Sequence, residues 1–307
     1  MNDRILVIKL GALGDIVLAC GPFSSIRRHH IESRITLLTT SPFVDFLRPS
    51  AWFDEILVDT RPALWQVNQW VSLRRNLRSG SFDRVYDLQT SDRSGWYFRL
   101  LGPGRRPEWS GIASGCSHPH LNPNRDNLHT TDRQREQLSL AGVKDFLDPD
   151  FSWVTADTAR FGLPNRYVLL APGGSPHRLG KRWPAESFAV IAGELSSQGI
   201  TPVIVGGQAE RHTAEIIASA GSEVIDLVGR TTLSDLMVLG RGALTAIGND
   251  TGPMHMIAAS DCPSLVLFSA ESNPALTAPR GALVKVLQHE DLSKLTPEKV
   301  ADAVTMR

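Results

Sequence analysis

No stretch of this sequence approaches the ~18 consecutive apolar residues that a bilayer-spanning helix requires. The first apolar run, Ile5 to Ile8, is too short for the core of a secretory signal, and it is followed by Lys9 and Asp15. Cysteine is scarce. The three present, Cys20, Cys116 and Cys262, are far apart, odd in number, and belong to no CxxC or Cys/His cluster. That excludes a disulfide framework and a zinc site, and it leads us to expect a reducing compartment, the cytoplasm. Excess charge is missing too: 32 basic residues balance 32 acidic ones. A general nucleic-acid binder carries a strong basic excess, so that class is set aside and no nucleic-acid partner is expected.

What is present is an ordinary globular composition, 42% hydrophobic and 21% charged over 307 residues, enough for one large or two ordinary domains. Strand-like apolar runs alternate with helical patterns almost throughout, the mark of an α/β protein with parallel sheets. Strands are expected at Ile5–Ile8, Ile35–Leu38, Glu55–Val58 and Arg84–Leu88, with helices near 16–29, 41–48, 64–78 and 92–101. Residues 102–130 break the alternation and read as one long loop, rich in Gly, Pro, Asn and His. Strands resume at 167–171, 201–205, 223–227, 243–247 and 264–268, with helices over 184–198, 208–220, 232–241 and 252–260. The aperiodic stretch 149–166 reads as a linker. The final helix, Pro297 to Met306, has Val300, Ala303 and Val304 on one side and is expected to dock on a domain, with a return to the first domain as one option.

Two loops carry the chemistry. Gly248-Asn-Asp-Thr-Gly-Pro-Met-His255 lies between an apolar run and a helix-compatible segment. A strand handing over to a helix near Thr251 aims free N–H groups and the positive end of a helix dipole at one spot, which suits phosphate oxygens. Asp250 and His255 add groups that bond sugar hydroxyls. The plain alternative is an ordinary helix cap. Upstream, Lys9-Leu-Gly-Ala-Leu-Gly-Asp15 follows the run Ile5–Ile8. Its glycines permit a tight turn, but the pattern is Gly-x-x-Gly-Asp rather than the dinucleotide fingerprint. A carboxylate at the loop mouth would repel a diphosphate, which marks this loop as the catalytic side. Asp15 as a helix cap is again the alternative. Gly173-Gly174 and Gly206-Gly207 also fall just after strands.

These pieces occur in order with Tyr86-Asp-Leu-Gln-Thr-Ser-Asp-Arg-Ser94, Ala171-Pro-Gly-Gly-Ser175, Lys181-Arg-Trp-Pro184, Val205-Gly-Gly207 and Leu227-Val-Gly229. In that order they resemble the heptosyltransferases of lipopolysaccharide core synthesis, glycosyltransferase family nine, over nearly the whole chain. The resemblance implies a GT-B fold, with two Rossmann-like domains whose parallel sheets face a central cleft. Residues 1–155 would form the acceptor-binding domain and 156–307 the nucleotide-sugar-binding domain. It implies inverting transfer of a heptose from ADP-heptose to a hydroxyl of a lipopolysaccharide precursor, with Asp15 as general base and with no metal and no cofactor. Donor contacts would come from Ser175, Lys181, Leu227, Gly229, Asp250, Thr251, Gly252 and His255. The family usually has Ser where Thr251 stands, and both residues offer a hydroxyl and an N–H. Asp148-Pro-Asp150 has the spacing of a metal-binding acidic pair, but its place in the linker makes it a poor site.

On the acceptor side the candidates are Gly14, Arg61, Gln89 and Arg93, among the arginines that crowd the first half: Arg27-Arg28, Arg74-Arg75, Arg78, Arg99 and Arg105-Arg106. Arginine's planar fork suits the carboxylates and phosphates of an anionic glycolipid, although solvated helix faces explain Arg74, Arg75 and Arg78 equally well. Trp65 and Trp70 would touch a lipid surface or belong to the core, so peripheral contact with the inner membrane is an open expectation. Two alternatives stand beside the leading reading. One is the same fold acting on another nucleotide-sugar. The other is a non-catalytic sugar-nucleotide-binding module, against which Asp15 and Lys181 both count. A UDP-sugar 2-epimerase shares the architecture but matches these loops less well.

Overall fold

The computed structural model of the protein describes residues 3–102, 106–174, 177–219, 221 and 223–307. The chain forms two compact units, one ending at Trp153 and the other beginning at Val154. Both are α/β, and each is built on a six-stranded parallel sheet.

The first unit runs β1 (Arg4–Ile8), α1 (Leu13–His29), β2 (Arg34–Thr39), α2 (Val44–Leu47), β3 (Glu55–Val58), α3 (Val67–Ser79), β4 (Arg84–Asp87), α4 (Asp92–Leu100), β5 (Glu108–Gly111), β6 (His118–Pro119) and α5 (Thr130–Leu140). Its sheet has the order β3-β2-β1-β4-β5-β6. The central strand β1 pairs with both β2 and β4, with Ile5 opposite Ile35 and Arg84. Ile5, Leu6, Val7 and Ile8 are all buried. That is why this strand reads as a continuous apolar run: a parallel strand covered on both faces has no polar side to show.

The second unit runs β7 (Tyr167–Ala171), α6 (Ala185–Ser197), β8 (Thr201–Ile204), α7 (Arg211–Ala218), β9 (Ile225–Asp226), α8 (Leu233–Gly242), β10 (Thr245–Asn249), α9 (Gly252–Ala258), β11 (Ser264–Phe268), α10 (Pro274–Thr277), β12 (Val284–Gln288) and α11 (Pro297–Ala303). Its order, β12-β11-β10-β7-β8-β9, is the first unit's order read from the other edge. In both, the strands progress outward in one direction, return to the middle and progress the other way. That is the dinucleotide-binding arrangement, and it opens a crevice at the carboxyl ends of the two central strands, where the winding reverses. In the first unit those strands are β1 and β4; in the second they are β7 and β10. Helix α11 packs on α6, and Val300 is buried in the second unit's core with Trp183, Phe188 and Leu295.

The structure departs from the sequence expectation in four places. Residues 102–130 are not one long loop, because β5 and β6 lie within them and extend the first sheet. These strands of four and two residues are too short to show a period. Helix α5, the four-residue helix α10 and strand β12 were not expected. The buried side of α5 includes Gln134 and Gln137, polar residues where an amphipathic pattern calls for apolar ones.

Candidate functional site

In the first unit the Lys9–Ala12 turn leaves β1, and helix α1 begins at Leu13, earlier than the apolar pattern indicated. Gly11 adopts φ +121°, and a Cβ there would stand 3.0 Å from the Phe43 ring, so both the backbone angle and the space call for glycine. Asp15 is the third residue of α1. Its Oδ2 accepts the Ala12 N–H at 3.1 Å, so the carboxylate does support the helix start. Among the described residues its other oxygen accepts no hydrogen bond, and the side chain is half-buried rather than sealed. Gly14 lies beside it in the first turn.

Lys9 is buried at the foot of this turn, and its ammonium donates to the Leu88 carbonyl at 3.2 Å. Burial lowers its pKa, while Asp15 and Asp87 pull the other way. Asp87 closes β4 and is fully buried. Its Oδ1 accepts the N–H groups of Gln89 and Thr90 at 3.1 and 3.0 Å, and Oδ2 has no partner among the described residues. Burial pushes the Asp87 pKa up to about 6, against the pull of the Thr90 and Gln89 hydrogen bonds and of the Lys9 charge. Gln89 then reaches back, its Oε1 accepting the Leu10 N–H at 2.8 Å. The loops that follow β1 and β4 are thereby tied together at the point where the sheet's winding reverses.

Asp59, just past β3, plays a parallel part. It accepts the Arg61 N–H at 2.7 Å and the Tyr97 hydroxyl. Arg61 and Thr90 both have positive φ, 50° and 44°. Such backbone is costly for a branched or long side chain, and it persists only where surrounding bonds enforce it; here each residue donates its N–H to a buried aspartate. Arg61 lines a groove of about 340 Å³ with Leu10, Gly11, Thr40, Pro42 and Asp59 among its walls. Arg93 is placed differently. Its guanidinium donates to Tyr97 Oη at 2.8 Å and to the Pro62 carbonyl at 2.9 Å, and it lies over the Trp70 ring. These contacts hold α4 to the loop after β3. Trp70 packs inward, whereas Trp65 is exposed.

In the second unit the loops after β7 and β10 meet. Asn249 is fully buried. Its Nδ2 donates to the carbonyls of Pro172 and Gly173 at 2.8 and 3.0 Å, and its Oδ1 accepts the Trp183 N–H at 3.1 Å. Gly248 lets the strands close: a Cβ there would lie 2.7 Å from both the Ala171 Cβ and its carbonyl oxygen. Next along the chain, Asp250 Oδ2 accepts from Lys181 Nζ at 2.8 Å, both side chains being nearly buried. Lys181 is therefore not a solvated surface charge. Thr251 is the N-cap of α9 and makes no side-chain cap bond. Its hydroxyl is buried and has no partner among the described residues. Helix α9 begins at Gly252, and buried His255 follows one turn on. Thus Lys181, Asp250, Thr251, Gly252 and His255 share the end of β10.

Leu227 and Gly229 lie past β9, and two strands, β7 and β8, separate them from β10. The Leu227 side chain is core, and the Gly229 N–H bonds the Gly206 carbonyl. Ser175, like Arg105, lies outside the described residues. Lys9, Asp59, Asp87 and Asn249 were not singled out from the sequence. A lone charged or amide residue at the end of an apolar strand run was the available signal for all four.

Comparison with known proteins follows the same lines. A family model described as Glycosyltransferase family 9 (heptosyltransferase) matches residues 70–303. Lipopolysaccharide heptosyltransferase 1 of Pseudomonas aeruginosa is 24% identical over 305 residues, covering 91% of this chain and 81% of its own. A glycosyl transferase family 9 structure from Veillonella parvula superimposes with a TM-score of 0.84 at 22% identity, covering 99% of this chain and 97% of that one. The E. coli heptosyltransferase WaaC with ADP gives a TM-score of 0.78 at 20% identity, covering 97% and 98%.

Proposed function

The chain belongs to glycosyltransferase family 9, the heptosyltransferases, and from that premise we propose that it transfers a heptose from ADP-heptose to a hydroxyl of an anionic lipopolysaccharide-core acceptor, with inversion. The observation that carries this reading is positional. In each unit, separate motif loops are tied together at the carboxyl ends of the two central strands, by Gln89 in one and Asn249 in the other.

In this reading Asp15 is the general base. Its Oδ2 is anchored by the Ala12 N–H, which leaves Oδ1 to take the proton as the acceptor oxygen attacks the anomeric carbon. A carboxylate serves here because proton transfer late in an oxocarbenium-like transition state depends on placement more than on base strength. Lys181 turns from Asp250 to the departing diphosphate, and the Thr251 hydroxyl and the N–H groups opening α9 share that charge. Asp250, freed of Lys181, bonds sugar hydroxyls together with His255. No step of the reading runs through a metal. Arg61, Gln89 and Gly14 face the acceptor, and Arg93 positions the loop that carries Arg61. Leu227 and Gly229 contribute through their backbone, and Ser175 adds a hydroxyl. Peripheral contact with the cytoplasmic face of the inner membrane belongs to the same reading, because the acceptor is a lipid.

Incubation with ADP-heptose and a deacylated core acceptor, followed by mass spectrometry, tests the assignment. A product heavier by one heptosyl group is expected. Transfer from UDP- or GDP-sugars in place of ADP-heptose would move the assignment to another donor, and binding without transfer would leave only a sugar-nucleotide-binding module.

A further inference from the structure

The loop after β3 and helix α3 present an unusual surface. Leu64 and Trp65 are 87% and 82% exposed, and Val67 and Val71 are exposed as well. Along α3, Trp70, Leu73 and Leu77 turn toward the core. Val67, Val71, Arg74, Arg75 and Arg78 follow at steps of three and four residues and so share one outward stripe. From Thr60 to Phe82 the sequence holds four arginines and no acidic residue, in a chain whose net charge is zero. Among the described residues the Arg75 and Arg78 side chains make no hydrogen bond or ion pair. Neighbouring α4, to which Arg74 is bonded through the Leu100 carbonyl, repeats the combination: Trp96 is exposed, with the Arg99 guanidinium stacked over its ring.

An apolar, tryptophan-bearing tip flanked by unpaired arginines is costly to expose to water, and it fits one kind of partner. Indole rings settle at the boundary between headgroups and acyl chains, arginine stems lie along apolar surface while their heads reach phosphate, and anionic leaflets attract each nearby cation. We infer that this surface seats the protein on an anionic lipid bilayer, with Leu64, Trp65 and Val67 entering the interface and Arg75 and Arg78 meeting lipid phosphates. The inference deepens the proposed reading. Leu64 and Trp65 follow the carboxyl end of β3, in the same loop as Arg61, so a lipid-borne acceptor and the lipid contact lie at the same end of the first sheet.

The test is flotation of the whole protein with vesicles of phosphatidylcholine alone or mixed with phosphatidylglycerol. Binding is expected to the mixed vesicles, falling as salt rises. One basic residue at such a surface is worth a factor of about five, so the double variant Arg75→Glu with Arg78→Glu should lower partitioning more than about twentyfold. The variant Trp65→Ser with Val67→Ser should lower it by about tenfold or more. Both pairs are exposed, so thermal melting and turnover on a deacylated acceptor should stay as in the parent, showing that the loss lies in lipid contact. Equal binding to neutral vesicles, or none to anionic ones, overturns the inference. So does a concentration-dependent dimer that Trp65→Ser abolishes, which would assign the surface to a second copy. Flotation, melting and the oligomeric state are all read without heptose transfer by the parent, so this inference and the proposed activity fail separately.

Discussion

Lys181 and Asp250 form an ion pair with little water around it, and removing one partner exposes the other's full desolvation cost. Lys181→Ala should weaken ADP-heptose binding by about 10- to 100-fold in calorimetry, the worth of one charge-assisted hydrogen bond. An unchanged affinity would place Lys181 outside the donor site. Asp87 makes a different prediction. Its folded pKa of about 6 lies above its ordinary value of 3.8, so the folded state holds a proton that the unfolded chain has released. Stability from this group is present below pH ~4 and is lost as pH rises from there through about 6. Urea denaturation at a series of pH values should show the parent losing stability relative to Asp87→Asn across that window, by a few kcal/mol. Parallel curves would contradict the burial argument.

At the level of the element, the tightest constraint is the pairing of β10 with β7. Gly248→Ala puts a methyl 2.7 Å from the Ala171 carbonyl oxygen and from Met254 Sδ. Overpacking of this kind costs about 1–3 kcal/mol, read as a lower urea midpoint with an unchanged slope. A midpoint equal to the parent's would show that the strands can part. The elements that the sequence revealed most plainly are apolar throughout: Ile5–Ile8 of β1, all of β7, and residues 265–268 of β11 are unbroken apolar runs because both faces of these strands are covered. What escaped was polar or short. Helix α5 turns Gln137 inward to the carbonyls of Asp87 and Ser110, which no hydrophobic periodicity reports. Strand β12 is a half-exposed edge strand. The site was legible to a similar degree. The loops were found from glycines and acids following strands, while the residues that tie them, Gln89 and Asn249, gain their roles only from partners 79 and 77 positions away. Arg93 looked like a free cation because sequence does not show that Tyr97 and Pro62 occupy it.

For the molecule as a whole, the same strand order occurs twice, and architecture of this kind serves epimerases as well as transferases, so the fold alone does not choose the chemistry. Donor choice does. Calorimetry with ADP-heptose against UDP- and GDP-sugars should give binding to the ADP compound at least about tenfold tighter than to the others, a difference of about 1.4 kcal/mol; equal affinities would remove the argument for an adenosine donor. The central claim concerns Asp15, and Asp15→Asn isolates it, since an amide oxygen can still accept the Ala12 N–H and keep the start of α1 intact. The decisive measurement is the rate of heptose transfer from ADP-heptose by this variant, alongside its affinity for the donor. General-base catalysis predicts a kcat lower by about 100-fold or more with donor affinity unchanged. Turnover equal to the parent's would contradict it and return Asp15 to the role of a helix cap.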